Sequence, residues 1–349
     1  MKNTRAKIVQ PLSIASSAFR NISKWWIYFI GIPLLLNACT IPDAQPPQKS
    51  FVTVYTDHLG TADSLIFAKF FKEEKIKVYY RILPSDSILE LIAHEKYNSK
   101  ADLIVLHGAD QLLAAQRKKL FAPLHSEKIT AEIDKNYISK KGFWTALSKT
   151  PIVIAYDQRI LKKDTVKTYN DLLTTNWMHK VALQHPDHPT LEVLNRSISA
   201  LKIRKVNLFL PKLVNQAYLK KEGEDLTQLK RIRDWQAQLA VVELSSIVKA
   251  NTLKTNKRDT LNAPFSKSIG VIFPNQTKKG CFYNITGAGI YRYARNPMQA
   301  RKLVEFLASK RAQYQFAAGR FEYPVVKNIN PHYLLDPFGK YRARFVLNN

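Results

Sequence analysis

The chain reads as an α/β protein whose two lobes enclose a cleft. Short apolar runs rich in β-branched residues alternate with amphipathic stretches, the same alternation restarts in the middle of the chain, and 349 residues suffice for two cores of ordinary size. Phe51–Tyr55 is a β-branched and aromatic strand, and residues 61–74 follow with apolar positions at helical spacing. Ile76–Leu83 is a second strand stopped by Pro84, after which Ser85-Asp86-Ser87 caps a helix carrying Ile88, Leu89, Leu91 and Ile92. Leu103–Leu106 is wholly apolar, as a buried parallel strand requires, and a helix follows from Ala109 to Leu120.

The second series opens with strands at Ile152–Tyr156 and Lys180–Leu183, then helices over 190–202, 206–220 and 225–237. Leu239–Val242 is another buried strand and a helix starts at about 244. Beyond a lysine-rich polar loop at Asn251–Lys267 come strands at Ser268–Phe273 and 282–291. Pro297 opens a helix that runs to Ala308, its missing N–H suiting a first-turn position, and further helical segments precede Tyr323-Pro324-Val325. The pattern predicts parallel sheets covered on both faces, with a ligand cleft at the carboxyl ends of the strands.

Charge narrows the choice of partners. The chain has 54 Lys and Arg against 27 Asp and Glu, and with the five basic residues ahead of Cys39 set aside, +22 of its +27 net charge remains. Such a field favours anionic partners. The basic residues are spread along the whole chain without zinc-finger spacing or a glycine-rich phosphate loop, so nucleic acid is not the expected ligand.

The N-terminus predicts export. Residues 1–24 are basic and free of acid, and the 12 apolar residues Trp25–Leu36 fall short of the roughly 20 that span a bilayer but match the apolar region of a signal peptide. The run ends in Leu36-Asn37-Ala38-Cys39, which resembles a bacterial lipobox. Residues 1–38 are therefore the expected signal, Cys39 the expected lipidation site, and the proline-rich 39–50 a tether. With Cys39 lipidated, Cys281 has no partner for an intramolecular disulfide.

Four segments carry a family resemblance. Ser268-Ile-Gly-Val-Ile-Phe-Pro-Asn-Gln276, Asn284-Ile-Thr-Gly-Ala-Gly289, Ala300-Arg-Lys-Leu-Val-Glu-Phe-Leu307 and Phe316-Ala-Ala-Gly-Arg-Phe-Glu-Tyr-Pro-Val325 closely resemble the C-terminal region of ferric-ion-binding proteins, the receptors of iron(III) ABC transporters. Weaker similarity extends over the body, at Val52–Thr56, Ala101–Leu106, Ala146–Lys149, Val153–Tyr156, Thr168–Leu172 and Trp177. The resemblance implies a type II periplasmic binding protein fold. One lobe would comprise 51–149 and about 282–349, the other about 150–281. It further implies a monomeric, lipid-anchored solute-binding protein on the periplasmic or outer side of a bacterial membrane, working with an ABC permease. It is not an enzyme: Ser245 and Ser246 lack a G-x-S-x-G elbow and any oxyanion-hole signature. Gly287 and Gly289 bracket Ala288 where the chain is expected to turn closely past another backbone.

The ligand positions depart from the family. Its members hold Fe(III) with an adjacent tyrosine pair after the strand equivalent to Leu239–Val242; here that pair falls on Ser245-Ser246. A third family tyrosine falls at Leu191, the first-lobe histidine at Leu59 beside His58, and another first-lobe ligand at His107. The candidate set is therefore His58, His107, Glu243, Ser245 and Ser246. Serine hydroxyls bind iron poorly but donate well to oxyanions. Imidazoles and a carboxylate suit a borderline metal such as zinc, with His58 and His107 the metal ligands. Fe(III), a chelated metal, Zn and a small anion all stay open as ligands. The alternative function is a scaffold without ligand that acts as a basic interaction protein of the cell envelope. His185-Pro-Asp-His188 has metal-like spacing, but its prolines make it a loop that opens a helix.

Overall fold

A computed structural model describes residues 50–201, 208–218, 220–253, 265–278 and 280–346. The signal segment, Cys39 and nearly all of the tether lie outside the described residues, as does most of the lysine-rich loop. The strands are β1 (Phe51–Thr56), β2 (Lys77–Ile82), β3 (Leu103–His107), β4 (Thr145–Asp157), β5 (Val181–Ala182), β6 (Leu239–Glu243), β7 (Ile269–Ile272), β8 (Cys281–Ile290), β9 (Tyr323–Pro324) and β10 (Ala343–Arg344). The helices are α1 (Asp63–Glu74), α2 (Ser85–Glu95), α3 (Ala109–Arg117), α4 (Glu127–Glu132), α5 (Pro189–Ser199), α6 (Phe209–Gln216), α7 (Asp225–Arg233), α8 (Leu244–Thr252), α9 (Phe265–Ser268), α10 (Pro297–Leu307) and α11 (Lys310–Ala318). Among the described residues no helix is long and apolar enough to cross a membrane.

The strands hydrogen-bond in the order β2-β1-β3-β8-β4-β6-β5, with β7 and β9 on β4 and β10 on β8. The β1–β2, β1–β3 and β5–β6 pairs are parallel, as the alternating pattern predicts. The sheet is nonetheless mixed. β8 runs antiparallel to both β3 and β4, and β6 and β7 run antiparallel to β4. Residues Thr145–Pro151 of β4 pair with β8, whereas Ile152–Tyr156 pair with β6, so one long strand passes from one set of partners to another. This reach lets β4 carry twelve buried residues out of thirteen, all but Lys149, as a strand covered on both faces does.

Most helices are shorter than their periodicity suggests. The stretch expected as 206–220 is helical only over Phe209–Gln216, and that expected as 225–237 ends at Arg233. Trp235, with φ 63°, reverses the chain into β6. Gly287 and Gly289 are not in a turn but in the C-terminal half of β8. A Cβ on Gly287 would lie 2.9 Å from the Thr145 carbonyl oxygen, and one on Gly289 would strike the Phe121 ring at 2.6 Å. The close approach that suits glycine is thus real, but it comes from strand packing. Cys281 begins β8, wholly buried, and burial pushes its thiol up to about 12.

Candidate functional site

Strand register converges four chain segments on one point. β1 ends at Thr56 and delivers Asp57 and His58; β3 ends on His107, which pairs across the ladder with Thr286 of β8. On β4, Thr150 pairs with Asn284 and Ile152 with Glu243, the last residue of β6. Glu322 arrives from the segment between α11 and β9 and accepts hydrogen bonds from the Ser148 and Thr286 hydroxyls. Both histidines stand at carboxyl ends of strands, where open sheets place ligands.

Each imidazole is backed by a carboxylate. His58 Nδ1 lies 2.9 Å from Asp57 Oδ1. Asp57 Oδ2 accepts the His107 amide at 2.7 Å and the Ser85 hydroxyl at 2.7 Å, so this one side chain ties β1, β3 and the start of α2 together. Burial raises the Asp57 carboxyl, but the His58 hydrogen bond and charge, with His107 and Ser85, outweigh it and leave the pKa below the usual value. His107 Nε2 donates to Glu243, 2.9 Å from Oε2, while its Nδ1 faces the Thr286 hydroxyl at 3.0 Å and Glu322 Oε1 at 3.6 Å. The two histidine rings meet edge to face with centroids 5.5 Å apart. One ligand atom from each of His58, His107 and Glu322 falls within 4.8 Å of the others.

The carboxylates decide the local field. Burial disfavours a charged His107, yet the adjacent Glu243 carboxylate and its hydrogen bond, with Glu322 and Asp57, raise its pKa to about 10. His107 is therefore an imidazolium at neutral pH, occupying a cationic position among acidic groups. Glu243 is itself held down by His107 and Asn284 against the effect of burial. Asn284 Nδ2 donates to its Oε1 at 2.7 Å. Asp57, Glu243 and Glu322 all surround the histidines, so the local charge runs opposite to that of the chain and favours a cation over an anion.

A raised folded-state pKa adds stability in full below pH 6.5, which is lost as pH rises towards 10. In the metal-free protein, the stability gap between the wild type and His107→Gln is therefore expected to shrink across that range in urea unfolding. The buried Lys149 amine, which desolvation pushes down to about 8, acts the other way in both proteins and cancels in the difference.

The serines occupy other positions. Ser245 is buried in the first turn of α8, its amide donating to Thr150 Oγ1 at 3.2 Å. The Ser246 hydroxyl bonds the carboxyl of Asp225, which in turn accepts the Glu243 amide at 2.8 Å. Of the predicted set, His58, His107 and Glu243 come together, whereas Ser246 is engaged behind Glu243. Asp57 and Glu322 complete the group without having been singled out in the sequence. Glu322 lies inside the Phe316–Val325 motif, whose likeness to the family was the only available signal. In the His185–His188 loop, His188 caps α5 through the Thr190 amide and pairs with Glu224 at 3.0 Å; it is the loop that its prolines predicted.

A family profile described as bacterial extracellular solute-binding protein matches residues 98–337. The chain belongs to this family. Among relatives of this solute-binding protein, iron uptake protein A1 of Synechocystis is 26% identical over 345 residues, covering 96% of this chain and 93% of that one. The major ferric iron-binding protein of Neisseria meningitidis is 25% identical over 325 residues, 90% and 92% of the two chains. A Trichodesmium protein solved in complex with iron and citrate ligands superposes with TM-score 0.78 at 25% identity, covering 84% and 92%. A ferric binding protein from Campylobacter jejuni gives 0.77 at 23% over the same shares. The fold is that of type II periplasmic binding proteins, and the role is solute binding for transport, as the resemblance implied. Membership of a binding-protein family also agrees with the reading that the chain is not an enzyme.

Proposed function

We propose that the chain is the metal receptor of an ABC importer, anchored through lipidated Cys39 on the outer side of a bacterial membrane, where it hands its cargo to the permease. The single observation that carries this reading is the pairing of each histidine with its own carboxylate. Metal-ligating imidazoles almost always give their second ring nitrogen to such a partner, which fixes tautomer and orientation. Asp57 takes Nδ1 of His58 and Glu243 takes Nε2 of His107. That leaves Nε2 of His58 for a metal, and Nδ1 of His107 once the arriving cation displaces the proton that faces Thr286 and Glu322, with Glu322 as third ligand and Glu243 as the orienting group.

Two imidazoles and one carboxylate suit divalent iron or zinc and leave positions for water or a small carboxylate chelator. The relatives named for iron support iron as the physiological cargo. Without the tyrosine phenolates, the site is better matched to Fe(II) than to bare Fe(III). We assign residues 51–149 with 282–349 to one lobe and 150–281 to the other, so that hinge closure brings Glu243 onto His107.

The test is titration of chelator-stripped protein with Fe(II) under anaerobic conditions and with Zn(II). One equivalent bound, with a raised melting temperature, is the expected result. No uptake of either ion, with saturable binding of a small anion instead, would overturn the metal reading.

A further inference from the structure

The edge of the sheet opposite the histidines has a distinct surface. α1, α2 and α3 return to the amino ends of β1, β2 and β3. At or just beyond their last turns stand Lys75 (φ 58°), Lys96 (φ 49°) and Lys119 (φ 57°). These are three of the eight non-glycine residues with positive φ among the described residues. Glycine or asparagine ordinarily fills such helix ends because a Cβ is strained there. A lysine within the last turn would serve the helix dipole equally well without that strain. Three strained lysines on one edge point to a use for their charge.

The surrounding backbone binds these loops into one surface. The Lys77 amide donates to Ser50 O, Asp102 to Thr53 O, Tyr291 to Asp102 O and Arg292 to Leu120 O, at 2.8–2.9 Å. Lys100, Arg292 and Arg295 are exposed beside the three lysines. Among the described residues none of these six basic side chains joins an ion pair, while the nearby Glu73 and Glu74 are taken up by Arg311 and Lys302. Phe51, Tyr97 and Tyr293 stand 40%, 70% and 42% exposed among them.

We propose that this edge docks on the anionic phospholipid headgroups of a membrane. Clustered lysine and arginine are drawn to an anionic leaflet, and aromatic rings settle at the headgroup level. The chain enters its folded body at this edge, through Ser50 and Phe51. The 12 residues from Cys39 to Phe51 span at most about 40 Å. A lipid chain and a basic patch together hold a protein more firmly than either alone. Docked in this way, the body keeps His58 and His107 on the water side, open to loading. Only the position of the anchor rests on the function proposed above; the docking surface does not depend on which solute is bound.

Hydrogen–deuterium exchange of the full chain, bound to vesicles and recovered by flotation, tests this. Vesicles of phosphatidylethanolamine with one-quarter phosphatidylglycerol are compared with pure phosphatidylcholine. Peptides covering 75–80, 96–101 and 291–296 are expected to exchange several-fold more slowly on the anionic vesicles only. That protection is expected to vanish in 1 M NaCl and in the Lys75→Glu/Lys96→Glu/Lys100→Glu/Arg292→Glu variant. Equal exchange on both vesicles, or protection indifferent to salt and to the substitutions, would overturn the proposal. Urea unfolding, which needs no metal, confirms that the variant is folded. Zn(II) titration of the same samples keeps a failure of docking distinct from a failure of the metal site.

Discussion

Replacing His107 with alanine is expected to weaken Fe(II) or Zn(II) binding by more than about 100-fold in a competitive titration. Loss of an orienting partner alone typically costs a metal site 10–100-fold, and His107 supplies a donor atom as well as the link to Glu243. Glu243→Gln keeps the hydrogen bond but removes the charge, so it should fall within that smaller range. Ser245→Ala should change affinity little, because its amide and not its hydroxyl makes the recorded contact with Thr150. This graded order separates a histidine-centred metal site from an oxyanion site built on the serines. Were the serines the recognition groups, the ranking would invert.

Arg320→Ala is expected to destabilise the body by about 3–5 kcal/mol, measured as the fall in unfolding free energy in urea. The guanidinium makes a two-point contact with Asp63, at 2.8 and 2.7 Å, with both side chains almost wholly buried, and lies over the Phe316 ring at 3.8 Å. Removing one partner leaves the Asp63 carboxylate buried without its counter-charge. Replacing both with apolar residues of similar volume should cost much less. The pair also has a functional position. Asp63 Oδ2 accepts the Gly60 amide, and Thr61 N donates to Gly319 O, so the clamp joins the loop carrying His58 to the segment carrying Glu322. Metal affinity is therefore expected to fall along with stability.

How far the sequence reaches differs between fold and site. Leu103–Leu106 and Leu239–Val242 were legible because a run of four apolar residues bounded by polar ones has few other uses than a buried strand. His58 and His107 were legible as residues at strand ends. Asp57 was not, because beyond its neighbour His58 its importance lies in two hydrogen bonds, from Ser85 and His107, that only the fold brings near. Glu322 comes from the far end of the chain, and apart from the family likeness of the motif around it nothing in its residue pattern marks it. Ser245 and Ser246 do sit at the predicted strand-to-helix junction. However, α8 begins at Leu244, and Asp225 engages the Ser246 hydroxyl from the neighbouring helix. The mixed sheet was missed for a related reason: alternation of strands and helices does not report that β8 returns antiparallel between β3 and β4. Lysines at positive φ leave no trace in composition at all.

The most direct test of the metal site is anomalous diffraction from crystals of the zinc-loaded protein. The account predicts one ion about 2.0–2.2 Å from Nε2 of His58, Nδ1 of His107 and a Glu322 oxygen, with Glu243 still bonded to Nε2 of His107. An ion bound elsewhere, or an empty histidine pair with a small anion held at Ser245 and Ser246, would contradict it.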